Sequence, residues 1–98
     1  MAITNPKYRL TRTMVDGAPE EAGVYALWEY DELIYVGRAS VTSTIRARLL
    51  EHLEAQLPCT TRATHYSWEL SLRPAVRENE ILKEYLARHG RVPRCNAA

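Results

Sequence analysis

The chain has no phenylalanine at all, and its 98 residues include only two cysteines, two methionines and four glycines. Cys59 and Cys95 are too few for the disulfide framework of a small secreted domain, so free, reduced thiols are expected. No apolar run approaches the roughly 20 residues that span a bilayer, so no membrane association is expected. The opening MAITNPKYRLTR has no apolar stretch and is no secretory signal, which makes a cytoplasmic protein the expectation. There is no C-x-x-C and no H-E-x-x-H, which argues against structural zinc. The absence of G-x-x-x-x-G-K-[ST] and of G-x-G-x-x-G argues against a nucleotide or other small-molecule cofactor. No repeat, low-complexity segment or linker interrupts the chain, and residues 1–98 read as one domain.

What is present is enough for a small core: 46% of residues are hydrophobic. Net charge is +1, unevenly spread. Residues 1–37 carry three basic and six acidic side chains, whereas residues 38–98 carry ten basic and six acidic ones. Eleven of the thirteen cations are arginine, whose planar fork suits phosphate and carboxylate oxygens. A solvated surface with ion pairs is the plain interpretation; the asymmetry also permits a nucleic-acid face.

The pattern predicts an α+β fold. Residues 1–18 read as an irregular lead-in, with room for a short extended piece at Tyr8–Met14. Gly23–Tyr30 and Leu33–Gly37, rich in β-branched and aromatic residues, read as two strands of an antiparallel hairpin. Thr64–Leu70 alternates as a third strand. Ile45, Leu49, Leu53 and Leu57 recur every fourth residue and predict a helix over about Thr44–Leu57, capped by Ser43 or Thr42 and ended by Pro58. A second helix is expected over about Leu72–His89, with Ser71 as cap, Pro74 in the first turn and Gly90 as terminator. Strand, strand, helix, strand, helix gives a small three-stranded antiparallel sheet with helices packed on it.

Three features resist a purely structural explanation. At about 100° per residue, Ala75, Ile81, Leu82 and Tyr85 all lie within about 60° of Glu78, so this carboxylate sits in the middle of the apolar stripe. Such a group costs several kcal/mol unless paired, protonated or metal-bound, and an arginine partner or a path to solvent is the plain explanation. Arg48 and His52, four apart, project together beside the leucine stripe, as an ordinary solvated face would also have them do. Finally, a three-residue loop at 30–32 would place Tyr25 and Tyr35 on one face as diagonal neighbours; a two-residue loop would separate them. Gly37 follows at once, where a glycine allows close approach.

Taken together these residues resemble the GIY-YIG endonuclease family. Gly23-Val24-Tyr25 is similar to its first motif and Tyr35-Val36-Gly37 to its second. Arg48 and His52 match a helix bearing an arginine and a histidine four residues on. Glu78-Asn79-Glu80-Ile81-Leu82-Lys83 matches the later E-N-x-[LI]-[LI]-K helix, and Pro93-Arg94-Cys95-Asn96 the closing P-[RK]-x-N. The resemblance spans residues 19–96, and its nearest forms are stand-alone domains and the incision domain of the bacterial excision-repair nuclease. Two spacings are longer than in some members: Gly37 to Arg48, which makes Arg46 a rival for the arginine role, and Glu78 to Asn96.

The resemblance implies hydrolysis of a DNA phosphodiester by water with one divalent ion, Mg²⁺ or Mn²⁺, held by Glu78. It implies Arg48 as the clamp on a non-bridging oxygen and Tyr25 as general base. Tyr35 and His52 would position the phosphate or assist proton transfer, and the metal and arginine would lower the Tyr25 pKa. Arg38, Arg46 and Asn96 would bind or order the substrate, and Arg62, Arg73, Arg77, Arg91 and Arg94 would make non-specific phosphate contacts. The alternatives are a nucleic-acid-binding domain with the same fold that does not cut, and an interaction domain whose motif matches are chance.

Overall fold

In the computed structural model, which describes residues 2–4, 6–55 and 57–97, the chain is α+β. Its elements are a 3₁₀ turn at Ala2–Thr4, β1 (Tyr8–Arg9), α1 (Arg12–Val15), β2 (Gly23–Glu29), β3 (Glu32–Ala39), α2 (Ile45–Ala55), a second 3₁₀ turn at Thr60–Arg62, β4 (His65–Leu70) and α3 (Pro74–His89). The sheet has four strands rather than the expected three, in the order β1-β4-β2-β3, with every neighbouring pair antiparallel.

The extra strand falls where the sequence predicts a short extended piece at Tyr8–Met14, but it ends at Arg9, and Arg12–Val15 is helical instead. β1 pairs only Tyr8 and Arg9 with Tyr66 and His65, too short a run to leave a periodic signature. The segment around it is anchored by burial. Ile3 is buried on one face of the sheet, while Val15 and Ala18 are buried on the other. Tyr66 Oη donates to the Met14 carbonyl at 2.7 Å, tying α1 to β4.

The strands are buried on both faces, which explains the near-continuous apolar run of β2. Tyr25, Leu27, Ala39, Ile45, Leu49 and Tyr66 form a core on the α2 side. Val24, Ala26, Trp28, Leu33, Val36, Ile81 and Tyr85 form a core on the α3 side. Trp28 Nε1 donates to Ser67 Oγ at 2.9 Å, so neither buried polar group is left without a partner.

The hairpin differs from expectation in an instructive way. Its connection is two residues, Tyr30 and Asp31, because Trp28 pairs with Leu33 and Glu29 with Glu32. Leu27 nevertheless pairs with Tyr35, because Ile34 is an extra residue in β3, a bulge that opposes nothing. The short loop and the bulge together restore the face that a three-residue loop would give.

Both helices are shorter than expected at their starts. α2 is preceded by Thr44, whose Oγ1 accepts from the Ala47 N–H at 3.4 Å, in place of the Ser43 or Thr42 cap. The first-turn N–H groups of Ile45 and Arg46 reach the carbonyls of Glu21 and Pro19. Of the residues expected to extend this helix, Gln56 lies outside the described residues and Leu57 is exposed beyond its end. α3 begins at Pro74, not Leu72, and Arg73 precedes it without a side-chain cap. Ser71 Oγ instead accepts from the Arg73 N–H. Gly90 closes α3 in the left-handed region at φ 73°, a conformation glycine adopts without strain.

Cys59 and Cys95 are joined as a disulfide, which corrects the free-thiol reading. The two lie 36 residues apart in sequence and 5.7 Å apart at Cα, a proximity only the tertiary fold provides. The bond fixes the C-terminal segment along the exposed edge of β3, where the Cys95 N–H donates to the Ile34 carbonyl at 2.8 Å. No helix among the described residues is long and apolar enough to cross a membrane.

Closing a loop of this length restricts the unfolded chain by about 3–4 kcal/mol. Cys59→Ser/Cys95→Ser, or reduction by dithiothreitol, is therefore expected to lower unfolding stability by up to that amount, read as a shift in the urea midpoint. An unchanged midpoint on reduction would show that the bond contributes nothing.

Candidate active site

The centre of the site is Tyr25, fully buried in the middle of β2. Its register partner is Gly37 on β3, and the ring lies across that glycine. A Cβ at position 37 would fall 2.5 Å from both Cζ and Oη of Tyr25, so only glycine leaves room for the phenol there. Tyr35, diagonal to it on the same face, has its ring centroid 6.1 Å away. The shared face expected of the two tyrosines is what the bulged hairpin provides.

α2 crosses this face and contributes two side chains from successive turns. Tyr25 Oη and His52 Nε2 are 2.9 Å apart. The His52 ring lies edge-on to both tyrosines, at 5.5 Å from Tyr25 and 5.3 Å from Tyr35. Arg48, one turn earlier, acts electrostatically on both phenols. One of its terminal nitrogens lies 3.2 Å from Glu51, a partner that the three-residue spacing could have disclosed. Two nitrogens of this cluster, Arg48 Nε and His52 Nδ1, are buried without a hydrogen-bond partner. Such orphaned groups are expensive in a finished core and are found where a ligand or water completes the site.

Arg46 is placed elsewhere. Its Nε donates to the Ala18 carbonyl at 2.9 Å and its guanidinium pairs with Glu20 at 2.6 Å. It fastens the start of α2 to the preceding turn, and of the two rival arginines only Arg48 reaches the tyrosines. Asn96 is also fully engaged: Oδ1 accepts from the Val36 N–H and Nδ2 donates to the Val36 carbonyl, both at 2.9 Å. The amide imitates a strand partner for β3 between Tyr35 and Gly37, so Asn96 orders the site rather than offering its amide to a substrate.

Glu78 does not join the tyrosines. It lies on the α3 side of the sheet, one turn before the buried Ile81, and is half-buried. Arg38 on the β3 edge is its partner at 3.8 Å, the arginine pairing that its place in the apolar stripe called for. The two halves of the site meet around the edge of β3. There a groove of about 400 Å³ is lined by Arg38, Ser40, Ser43, Arg48 and Pro74. A larger hollow of about 840 Å³ lies beside Cys59, but its charges are already matched, Arg62 and Arg94 against Glu29 and Glu32. Arg77 is likewise taken up by Glu69 and Glu80. Of the remaining arginines expected to meet phosphate, Arg73 and Arg91 form no ion pair among the described residues.

Among the described residues no three His, Cys, Asp or Glu side chains converge as a metal cage. Glu78 alone fits the looser requirement of Mg²⁺, which binds through one or two carboxylates and keeps several waters. The 60% exposed Arg38 side chain can turn aside from the carboxylate to admit a cation.

With the protein's own groups alone the Tyr25 pKa is raised: burial pushes the phenol up, Tyr35 adds to this, and Arg48 opposes without prevailing. His52 moves down, first because of burial and then because of Arg48, with Glu51 opposing. The resting pair is a neutral phenol against a neutral imidazole. No family model, curated protein or solved structure matches this chain.

A histidine whose folded pKa is depressed leaves stability intact above its ordinary value of 6.5 and removes it as pH falls through that value toward the folded one. The melting temperature is therefore expected to fall between pH 7.5 and pH 5.5, and His52→Gln to flatten that part of the profile. An identical acid limb in wild type and variant would contradict the burial of a neutral His52.

Proposed function

We propose that this chain is a metal-dependent DNA endonuclease of the GIY-YIG kind, hydrolysing phosphodiester bonds. The observation that carries the reading is the Tyr25–His52 contact at 2.9 Å with Arg48 beside it, an arginine that also lines a groove together with Arg38. That is a proton relay, assembled from β2 and α2, next to a hollow wide enough to admit a phosphate.

The geometry suggests how the proton moves. A water attacking phosphorus must lose a proton, and a neutral Tyr25 can take it only as its own proton leaves. His52 Nε2 is within hydrogen-bond reach, and in the neutral ring with its proton on Nδ1 it is the acceptor. The phenol thus relays a proton without resting as a buried phenolate, whose cost the raised pKa expresses. Arg48, with its Nε unsatisfied, offers a donor to a non-bridging oxygen where negative charge grows. Tyr35, whose ring centroid lies 5.3 Å from that of His52, would position the phosphate. Across the β3 edge Glu78 would hold Mg²⁺ or Mn²⁺ and Arg38 would meet the strand backbone. When bound, that ion supplies charge stabilisation at the leaving oxygen.

One observation favours a second reading, a domain that binds nucleic acid without cutting it: Glu78 is paired with Arg38 and makes no contact with the phenols among the described residues. Nicking of supercoiled plasmid with and without Mg²⁺ separates the two. Wild type is expected to nick only with metal, and Glu78→Gln to lose nicking while still binding DNA; full metal-dependent activity in the variant would end the assignment. Arg48→Ala is expected to lower kcat/KM by about 10²–10³. Arg46→Ala, which loses its Ala18 and Glu20 contacts, should act mainly on melting temperature.

A further inference from the structure

A second hollow adjoins the arginine groove. It holds about 340 Å³ and is walled by Glu20, Glu21, Val41, Leu70 and Leu72. Val41 is 81% exposed, Leu72 100% and Leu70 46%. Neither Val41 nor Leu72 serves the core. Both stand on irregular backbone, Val41 between β3 and α2 and Leu72 between β4 and α3. Sequence neighbours of these two residues line the groove, Ser40 and Ser43 on one segment and Pro74 and Ala75 on the other, so the same two segments contribute to both hollows.

The two hollows differ in character. Arg38 and Arg48 line the groove, paired with Glu78 and Glu51, and Arg73, which forms no ion pair among the described residues, stands on the segment between the two hollows. The lining of the apolar hollow has no cation; of its two carboxylates Glu20 is paired with Arg46, and Glu21 lies beside the aliphatic side chains. One side thus offers arginine and the other aliphatic surface. A nucleic-acid strand has the same division, with anionic phosphates along the backbone and apolar base faces whose edges carry N–H donors. Exposed aliphatic side chains beside a phosphate track are suited to unstacking base steps.

We propose that Val41 and Leu72 receive a base unstacked from the strand whose phosphate lies in the groove. The preferred substrate is then DNA with unpaired bases beside the scissile phosphate. This rests on the nuclease reading above and adds its substrate class.

The test compares two oligonucleotide duplexes in Mg²⁺, one fully paired and one with two unpaired nucleotides at its centre. Wild type is expected to cut the second with kcat/KM at least about tenfold higher, the scale of one stacked base. In Val41→Ser/Leu72→Ser, two exposed positions outside the core, that ratio should fall to near one. A second readout does not need cleavage. 2-Aminopurine in the paired duplex should brighten on binding Glu78→Gln, and should not when Val41→Ser/Leu72→Ser is added. Retention of the ratio and the fluorescence change in the double variant would overturn the proposal. So would a shift from dimer to monomer in sedimentation with both readouts unmoved, since the patch would then cover a second copy of the chain. If wild type cuts neither duplex, the nuclease reading fails, and the fluorescence alone decides whether these residues hold a base.

Discussion

The site depends on one close approach, the Tyr25 ring lying over the missing Cβ of Gly37. This contact buries the phenol completely, and burial is the largest influence holding its proton in place. It also sets the phenolic oxygen at the depth from which His52, one helix away, can reach it. Any side chain at position 37 would have to displace either the ring or the edge strand beneath it, and the relay would come apart without loss of a single polar group.

β3 is therefore more than one strand of the sheet. It is an edge, and edges invite unwanted pairing unless covered. Here the C-terminal segment covers it: Cys95 bonds to Ile34, Asn96 imitates a strand partner for Val36, and the disulfide to Cys59 pins both. The covered part lies directly beside Tyr35 and Gly37, while Arg38, paired with Glu78, lines the groove. The same strand thus carries a clamped half that holds the phenols in register and an open half whose single cation is Arg38.

Much of this was legible in the residues, and the failures have physical causes. The hydrophobic patterns disclosed three strands and two helices because each buries a face against a partner. β1 was legible only as an extended piece, not as a strand of the sheet, because two residues have no period, and Ile3 escaped because one buried residue in a short turn makes no pattern. The hairpin shows two errors that cancel: the loop is shorter than expected, but the Ile34 bulge restores the parity that puts Tyr25 and Tyr35 together. Glu78 was recognisable as a carboxylate among apolar neighbours, yet spacing along one helix could not reveal that it lies over the far side of the β3 edge from the tyrosines. The Cys59–Cys95 bond was hidden for the same reason, since 36 residues of separation carry no distance information. The arginine's pull on the Tyr25 phenol was legible from the charges, but burial, which outweighs it, was not.

The central claim is that the buried Tyr25 oxygen handles the proton of the attacking water. Its most direct test is single-turnover plasmid nicking by Tyr25→Phe in Mg²⁺, with circular dichroism to verify the fold. Removing one oxygen from a ring that otherwise still fits over Gly37 is expected to slow cleavage by about 10²–10⁴. Nicking at the wild-type rate would contradict the account.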